Sequence, residues 1–469
     1  MQSRKDQVQA YFFVVGRLFS ALTHGKPDIL EPPTRRFSMG TTFGVLLAAL
    51  LVGIFWIVGL YAPATSTDWQ RPGTIIVDKS SGARFLYLDG RLRPVLNFSS
   101  AKLAAAGSGS GSGGAVELFS AKSLSGVPVG VPIGIPGAPD AIPPADGIDK
   151  GPWTVCVAVS GAPRPVTLLL GSTAGQPVTA GQAILVSGPD GARQLLWQGR
   201  RYRFGAFVAG ALGYSAAGAI PVPANWLNSI PVGRDIAMPK IAQLGSAGPV
   251  IDGRTTVVGQ ILRARNPALN SEQHFVVVEN GIKPLTTTVE ALLLASPDTR
   301  QAYGGGNVAP IEVDPGALTG VPTIGNEDYA GYPPAPPMLL NTALSDGAVP
   351  CVRSDPSGGK SGFVLMAAAE VNAKAAPSGR HVAGSTVDQV SIPAGSGVLA
   401  RDLPAPGAIA GTEYLVTDVG IKFPLADPSV AGALGYSGGS AVEVASRFLA
   451  LLPTGPVLSR ASALAEGTP

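Results

Sequence analysis

The chain has 469 residues, only 14% of them charged, and a formal net charge of +3, too weak and dispersed for a nucleic-acid footprint. Hydrophobic residues at 45% exclude general disorder, while 61 glycines and 43 prolines favour short strands and turns over long helices. The length admits two or three domains.

Residues 1–38 read as a cytoplasmic segment. Val8, Tyr11, Phe12, Val15, Leu18, Phe19 and Leu22 recur at spacings of three and four, which predicts a helix from about Lys5 to His24 with a broad apolar stripe. Such a helix cannot bury that stripe alone, so it lies on the membrane or docks on a partner protein. Pro27, Pro32 and Pro33 then break the chain.

Residues 39–62 read as a transmembrane helix. From Thr41 through Leu50 and Trp56 to Ala62 the run is apolar, and no charge occurs between Arg36 and Asp68. Roughly 22 helical residues reach about 33 Å, enough for a hydrocarbon core of about 30 Å. Ala62-Pro63-Ala64 imitates a signal-peptide cleavage site, but the apolar run is too long for one and Pro63 sits inside the site. Arg4, Lys5, Arg17, Lys26, Arg35 and Arg36 precede the span, which places the N-terminus inside and the bulk of the chain outside.

Residues 63–72 form a linker, and 73–135 a first repeat. Gly73–Asp78, Arg84–Leu88 and Arg91–Val95 predict three strands, with Asp89-Gly90 as a tight hairpin turn and a short helix over Ser99–Ala106. Gly107–Gly114 is a flexible Gly/Ser loop. Related units follow at 181–245, 250–335 and 411–469, the last including the C-terminal tail. They are marked by Leu195–Tyr202, His274–Leu285 and Glu413–Leu425, each a β-rich run, a glycine turn and a basic residue. Leu212-Gly213-Tyr214-Ser215 and Leu434-Gly435-Tyr436-Ser437 correspond, each followed by an expected helix, Ala224–Asn228 or Val442–Leu452, and then a proline. Between the repeats, 140–180 and 341–410 form two parts of a central core, each with one cysteine, Cys156 and Cys351. The fold expected is α+β and β-rich, four hairpin-helix repeats around that core.

No chemistry survives weighing. Gly435-Tyr436-Ser437-Gly438-Gly439 matches a nucleophile elbow, but His24, His274 and His381 all precede Ser437, whereas that fold places its histidine after the serine. Ser357-Gly358-Gly359-Lys360-Ser361 resembles the end of a phosphate loop, but lacks the first glycine and carries Pro356. Three histidines and two distant cysteines give no metal-ligand spacing. Asn97-Phe98-Ser99 fits a glycosylation sequon of little specificity. No catalytic residue, metal or cofactor is expected.

Several stretches together resemble the EccB family, the single-pass membrane component of the actinobacterial type VII (ESX) secretion core complex. They are Val8–Tyr11 through Arg17-Leu18, Leu92–Leu103, Ile133–Pro139, Trp153–Cys156 with the distant Cys351, and Gly455–Arg460. The resemblance covers nearly the whole chain. It implies an inner-membrane protein that assembles with the EccC-type ATPase and the EccD- and EccE-type subunits, self-associates and contacts lipid. It also implies a disulfide, for which Cys156 and Cys351 are the only candidates; both lie outside, where disulfides persist. Two buried thiols remain the alternative. ATPase activity is attributed to the family, but no nucleotide site is visible, so a structural subunit is expected. A free-standing cell-wall-binding module is the second reading, and a membrane-anchored hydrolase or ATPase a third.

Overall fold

The computed structural model describes residues 4–25, 34–61, 68–106, 114–356, 361–405, 407–409, 411–436 and 439–467. They fall into two compact units: the N-terminal region with 120–125, and 69–119 with 126–469, termed the external region after the side on which the positive flanks are expected to place it.

The N-terminal unit contains helix α1, Arg4–His24, and helix α2, Thr34–Tyr61. α2 starts five residues before the expected boundary at 39, because no proline follows Pro33 to interrupt the helix. Its stretch Phe37–Val58 spans 22 residues at mean hydropathy 2.4, with none of it buried by protein. Thr41 and Thr42 turn their hydroxyls back onto the carbonyls of Phe37 and Ser38, at 2.9 and 2.7 Å, which removes two free donors from an apolar face. Ala62, the expected end of the span, lies outside the described residues.

Four sheets in the external region share one topology: three antiparallel strands, a short helix, and a fourth strand parallel to the first, in spatial order 3-2-1-4. In repeat 1 these are Ile75–Asp78, Arg84–Leu88, Arg91–Pro94, helix Phe98–Ala105 and Val116–Phe119. Repeat 2 runs Gln182–Ser187, Arg193–Trp197, Arg200–Arg203, Ala206–Ala211 and Ile220–Pro221, and repeat 3 Ile261–Asn266, Ser271–Val278, Gly281–Leu285, Thr287–Ala295 and Ile311–Val313. Repeat 4 is Val398–Leu403, Glu413–Val416, Lys422–Pro424, Pro428–Leu434 and Val442–Ala445. Asp89 and Gly90 both take positive φ (50° and 75°), the tight turn their types favour, and Gln198-Gly199 repeats it (45° and 72°).

Two expectations need correcting. The fourth sheet begins at Val398, inside the segment 341–410 read as central core. Val442–Leu452 is not one helix: Val442–Ala445 is a strand paired in parallel with Ala400–Leu403, and only Ser446–Leu449 is helical. Val442 and Val444 are β-branched, and the free edge of Val398–Leu403 supplies a ladder that outweighs a single helical turn.

The central sheet has seven strands, and its middle strands Trp153–Val157 and Val166–Leu170 are buried on both faces. Their alternation divides two cores. Trp153, Val155, Val166, Leu168 and Val352 face the large core shared with repeats 2 and 4, while Cys156, Leu169 and Cys351 face the other side. Repeats 2 and 4 each drive one large side chain into the shared core, Trp226 and Phe448, both fully buried. Trp226 spends its indole N–H on the Val155 carbonyl at 3.0 Å. Removing a ring of that size costs about 3–5 kcal/mol.

The two cysteines lie directly opposite each other on adjacent antiparallel strands and form a disulfide, with Cα atoms 4.0 Å apart. It joins positions 195 residues apart. In the chain-entropy account a loop of that length is worth about 5 kcal/mol. Cys156→Ser with Cys351→Ser should therefore lower the unfolding midpoint of the external region by ten degrees or so. An unchanged midpoint in scanning calorimetry would contradict this role.

The repeated Leu-Gly-Tyr stretch also has a structural use. Gly213 and Gly435 take positive φ (77° and 101°) at helix C-termini, and the next tyrosines turn inward. Tyr214 donates its hydroxyl proton to the Pro337 carbonyl at 2.7 Å, and Tyr436 to Pro143 at 2.8 Å. Burial pushes Tyr214 up to about 12 and raises Tyr436 as well. Because the folded values are raised, the stabilisation is complete below the unfolded value near 10 and is lost as pH rises through the folded values. The unfolding temperature should fall steeply between about pH 10 and 12, and less steeply in Tyr214→Phe with Tyr436→Phe.

Candidate functional site

Among the described residues of the N-terminal unit outside α2, a large apolar surface is left uncovered on α1. Val8, Tyr11, Phe12, Val15, Leu18, Phe19 and Leu22 are all exposed there, Val15 least at 43% and Leu22 most at 79%. Phe13 and Val14 are exposed too, so the apolar arc is wider than the spacing of three and four indicates. Phe13 lies on the flank and carries the Arg17 guanidinium 5.7 Å from its ring centre. A helix with this much uncovered apolar surface is stable only against another apolar or amphipathic surface.

In the external region several polar side chains that could mark a site are spent internally. Asn97 is buried and caps the helix Phe98–Ala105: its side-chain oxygen accepts from Ser100 N at 3.0 Å, and its amide donates to the Ile135 carbonyl at 2.8 Å. The sequon is therefore a helix cap with no free amide. The basic residues that recur in the repeats act likewise in repeats 2 and 4. Arg201 donates to the Ile230 carbonyl at 3.3 Å and Lys422 to the Leu449 carbonyl, each at the end of the helix that inserts Trp226 or Phe448. Burial lowers the pKa of both cations.

A recurrent closing segment escaped the sequence reading, which noted only its proline in two repeats. Pro128–Gly130, Pro231–Gly233, Pro322–Ile324 and Pro453–Gly455 each lie parallel beside the third strand of their repeat, bridging Leu92, Arg201, Ile282 and Lys422. In each, the proline carbonyl accepts from the strand residue and the residue two later donates back, as in Lys422 N to Pro453 O (3.0 Å) and Gly455 N to Lys422 O (2.9 Å). Gly233 and Gly455 cannot be replaced freely, since a Cβ would stand 2.5 and 2.3 Å from the Tyr202 and Phe423 rings. Three of the four read Pro-x-Gly, with Ile324 in place of the glycine in repeat 3, but their variable separation from the strand conceals the register.

Catalytic groupings do not assemble among the described residues. No group of three or more His, Cys, Asp or Glu is placed to hold a metal. His274 is held by Glu290 at 2.9 Å inside repeat 3, and His381 lies 3.4 Å from Asp388 in the central part. Ser437 and Ser357–Lys360 fall outside the described residues. Ser361, which follows the glycine-rich stretch, opens the strand Ser361–Ala367 and not the helix a phosphate loop requires. A cavity of about 370 Å³ beside the disulfide is walled by Val157, Ile220, Leu344, Val349 and Val371, without a charged residue in its lining.

Comparison with known proteins gives a consistent answer. The family described as type VII secretion system ESX-1, transport TM domain B (EccB), matches residues 1–468. The ESX-3 secretion system ATPase EccB3 of Mycolicibacterium smegmatis is 28% identical over 98% of this chain and 90% of its own length. The ESX-5 secretion system ATPase EccB5 of Mycobacterium tuberculosis is also 28% identical, over 99% and 93%. Among solved structures, a chain of an intact ESX-5 inner membrane complex superposes with a TM-score of 0.70 at 24% identity, covering 100% of this chain and 96% of that one. An EccB3 dimer from the ESX-3 core complex gives 0.68 at 25% identity, covering 84% and 100%. With one membrane-length apolar helix, a β-rich external region and a family match along virtually its whole length, this chain belongs to the EccB family of type VII secretion membrane proteins.

Proposed function

We propose that the chain is a structural membrane subunit of a type VII core complex, inserted once with its N-terminus in the cytoplasm and its repeats outside. The observation that carries this reading is the family match over residues 1–468, joined by an α1 whose apolar arc is exposed among the described residues. The basic residues preceding α2 support the orientation. Val8, Tyr11, Phe12, Val15, Leu18, Phe19 and Leu22 form the docking stripe for another core subunit at the cytoplasmic membrane surface. The relatives compared above carry ATPase in their names, but the proposed role is non-enzymatic, because no catalytic grouping assembles among the described residues.

Phe12→Asp with Phe19→Asp should reduce co-purification of the other core subunits by tenfold or more, since each buried charge costs several kcal/mol. The external region should keep its unfolding midpoint. Undiminished complex yield would reject α1 as the docking element. Ser437→Ala should leave both secretion and any ATP hydrolysis by the purified chain unchanged; a loss of either at normal protein level would restore a catalytic reading.

A further inference from the structure

The cavity of about 370 Å³ beside the disulfide lies at a junction. The ends of the central strands, the helix Ala368–Ala373 and the fourth strand of repeat 2 all line it, the last through Ile220. Such junctions between packed units are where small-molecule sites concentrate. The lining changes character with burial. Val157, Val349 and Val371 are buried at the floor, Ile220 and Ala368 half-buried on the sides, and Ser160 and Asn372 exposed at the mouth. Thr167 is hydrogen-bonded to Gln389 at 3.0 Å. The Ser160 hydroxyl and the Asn372 amide have no hydrogen-bond partner among the described residues.

Three physical limits select an occupant. The lining holds no charged side chain, so an entering ion would lose hydration and gain no counter-charge. Water is poorly held at the floor, because a buried water needs roughly two to four polar partners and valine side chains offer none. The volume is about 2.5 times that of a cavity of about 150 Å³ that accepts benzene, which leaves room for a chain of about ten carbons.

We infer that this cavity binds an uncharged aliphatic molecule of about ten carbons. Its chain lies against Val157, Val349 and Val371, and a hydroxyl- or amide-like end is hydrogen-bonded by Ser160 and Asn372 at the mouth. The neutral mouth offers a lipid phosphate no counter-charge, so the ligand enters as a free molecule and not as an acyl chain of the bilayer. Once seated it touches Ile220 of repeat 2 as well as the central strands, and fills the joint between them. The site is independent of the docking of α1.

The test uses the full-length chain in lipid vesicles and 1-decanol carrying a photoreactive diazirine in mid-chain. Irradiation should tag the peptides that contain Val157, Val349 and Val371 in a saturable way, mapped by mass spectrometry. The apolar helix α2 should be tagged without saturation, as a membrane control. Unlabelled 1-alkanols, compared at equal free concentration, should displace the saturable tag about fourfold better for each methylene added from hexanol to decanol. Decanoate and decyltrimethylammonium should compete at least about tenfold more weakly than decanol. Ala368→Phe narrows the cavity and should lower the saturable tag about tenfold, with the α2 tag unchanged. Its unfolding midpoint verifies the fold; if it misfolds, the competition series on the unaltered chain decides alone. Tagging confined to α2, external tagging that does not saturate, equal competition by decanoate, or undiminished tagging of folded Ala368→Phe would each overturn the inference.

Discussion

The external region depends on the sheet of repeat 4 being buried on both faces. Along Val398–Leu403 successive side chains alternate between two cores: Val398 and Ala400 enter the core of the central sheet, while Leu399 enters the core of repeat 1. Leu415 and Val416 divide in the same way on the next strand. A sheet in this position needs apolar residues on both faces, supplied by Val398, Leu399 and Ala400 and by Tyr414, Leu415 and Val416, while Arg401, Asp402 and Glu413 stay half-buried. Repeat 2 is the counterpart, with Ile184 and Val186 toward the centre and Ala183 and Leu185 toward repeat 3. The packing order that results is repeat 1, repeat 4, centre, repeat 2, repeat 3, which is not the order in sequence.

This arrangement ties the two ends of the external chain together. Ile133 of repeat 1 bridges Glu466, and Gly467 N donates to the Pro132 carbonyl at 3.1 Å. Lys102 reaches the Leu434 carbonyl across 332 positions of sequence. Repeat 1 therefore cannot complete its core until the last residues of the chain are available, a long-range closure of the kind that slows folding. The disulfide acts on the middle of the same problem. It holds the two halves of the central sheet together across the excursion that contains repeats 2 and 3.

The same construction commits polar side chains to architecture. Groups that could have served chemistry are committed to architecture: the Asn97 amide caps a helix, the Tyr214 and Tyr436 hydroxyls clamp distant carbonyls, and Arg201 and Lys422 hold the helix ends behind Trp226 and Phe448. Such groups are costly to move, because each stands in low-dielectric surroundings with its partner.

By itself, the sequence determined what local chemistry can determine. An uncharged apolar run must cross a membrane or be buried, positive flanks bias its direction, and the α1 spacing writes its stripe directly into the residues. Asp89-Gly90 announced its turn, and the recurrence of Leu-Gly-Tyr announced a repeat. Tertiary structure decided the rest. Whether Val442–Ala445 became strand or helix depended on the free edge of Val398–Leu403, some forty residues earlier. The closing segments that begin at Pro128, Pro231, Pro322 and Pro453 were invisible as strands because a single bridge to the third strand defines each one. The opposition of Cys156 and Cys351 followed from a register between strands on either side of two repeats. Periodicity records which face of an element is apolar; only packing settles which partner covers it.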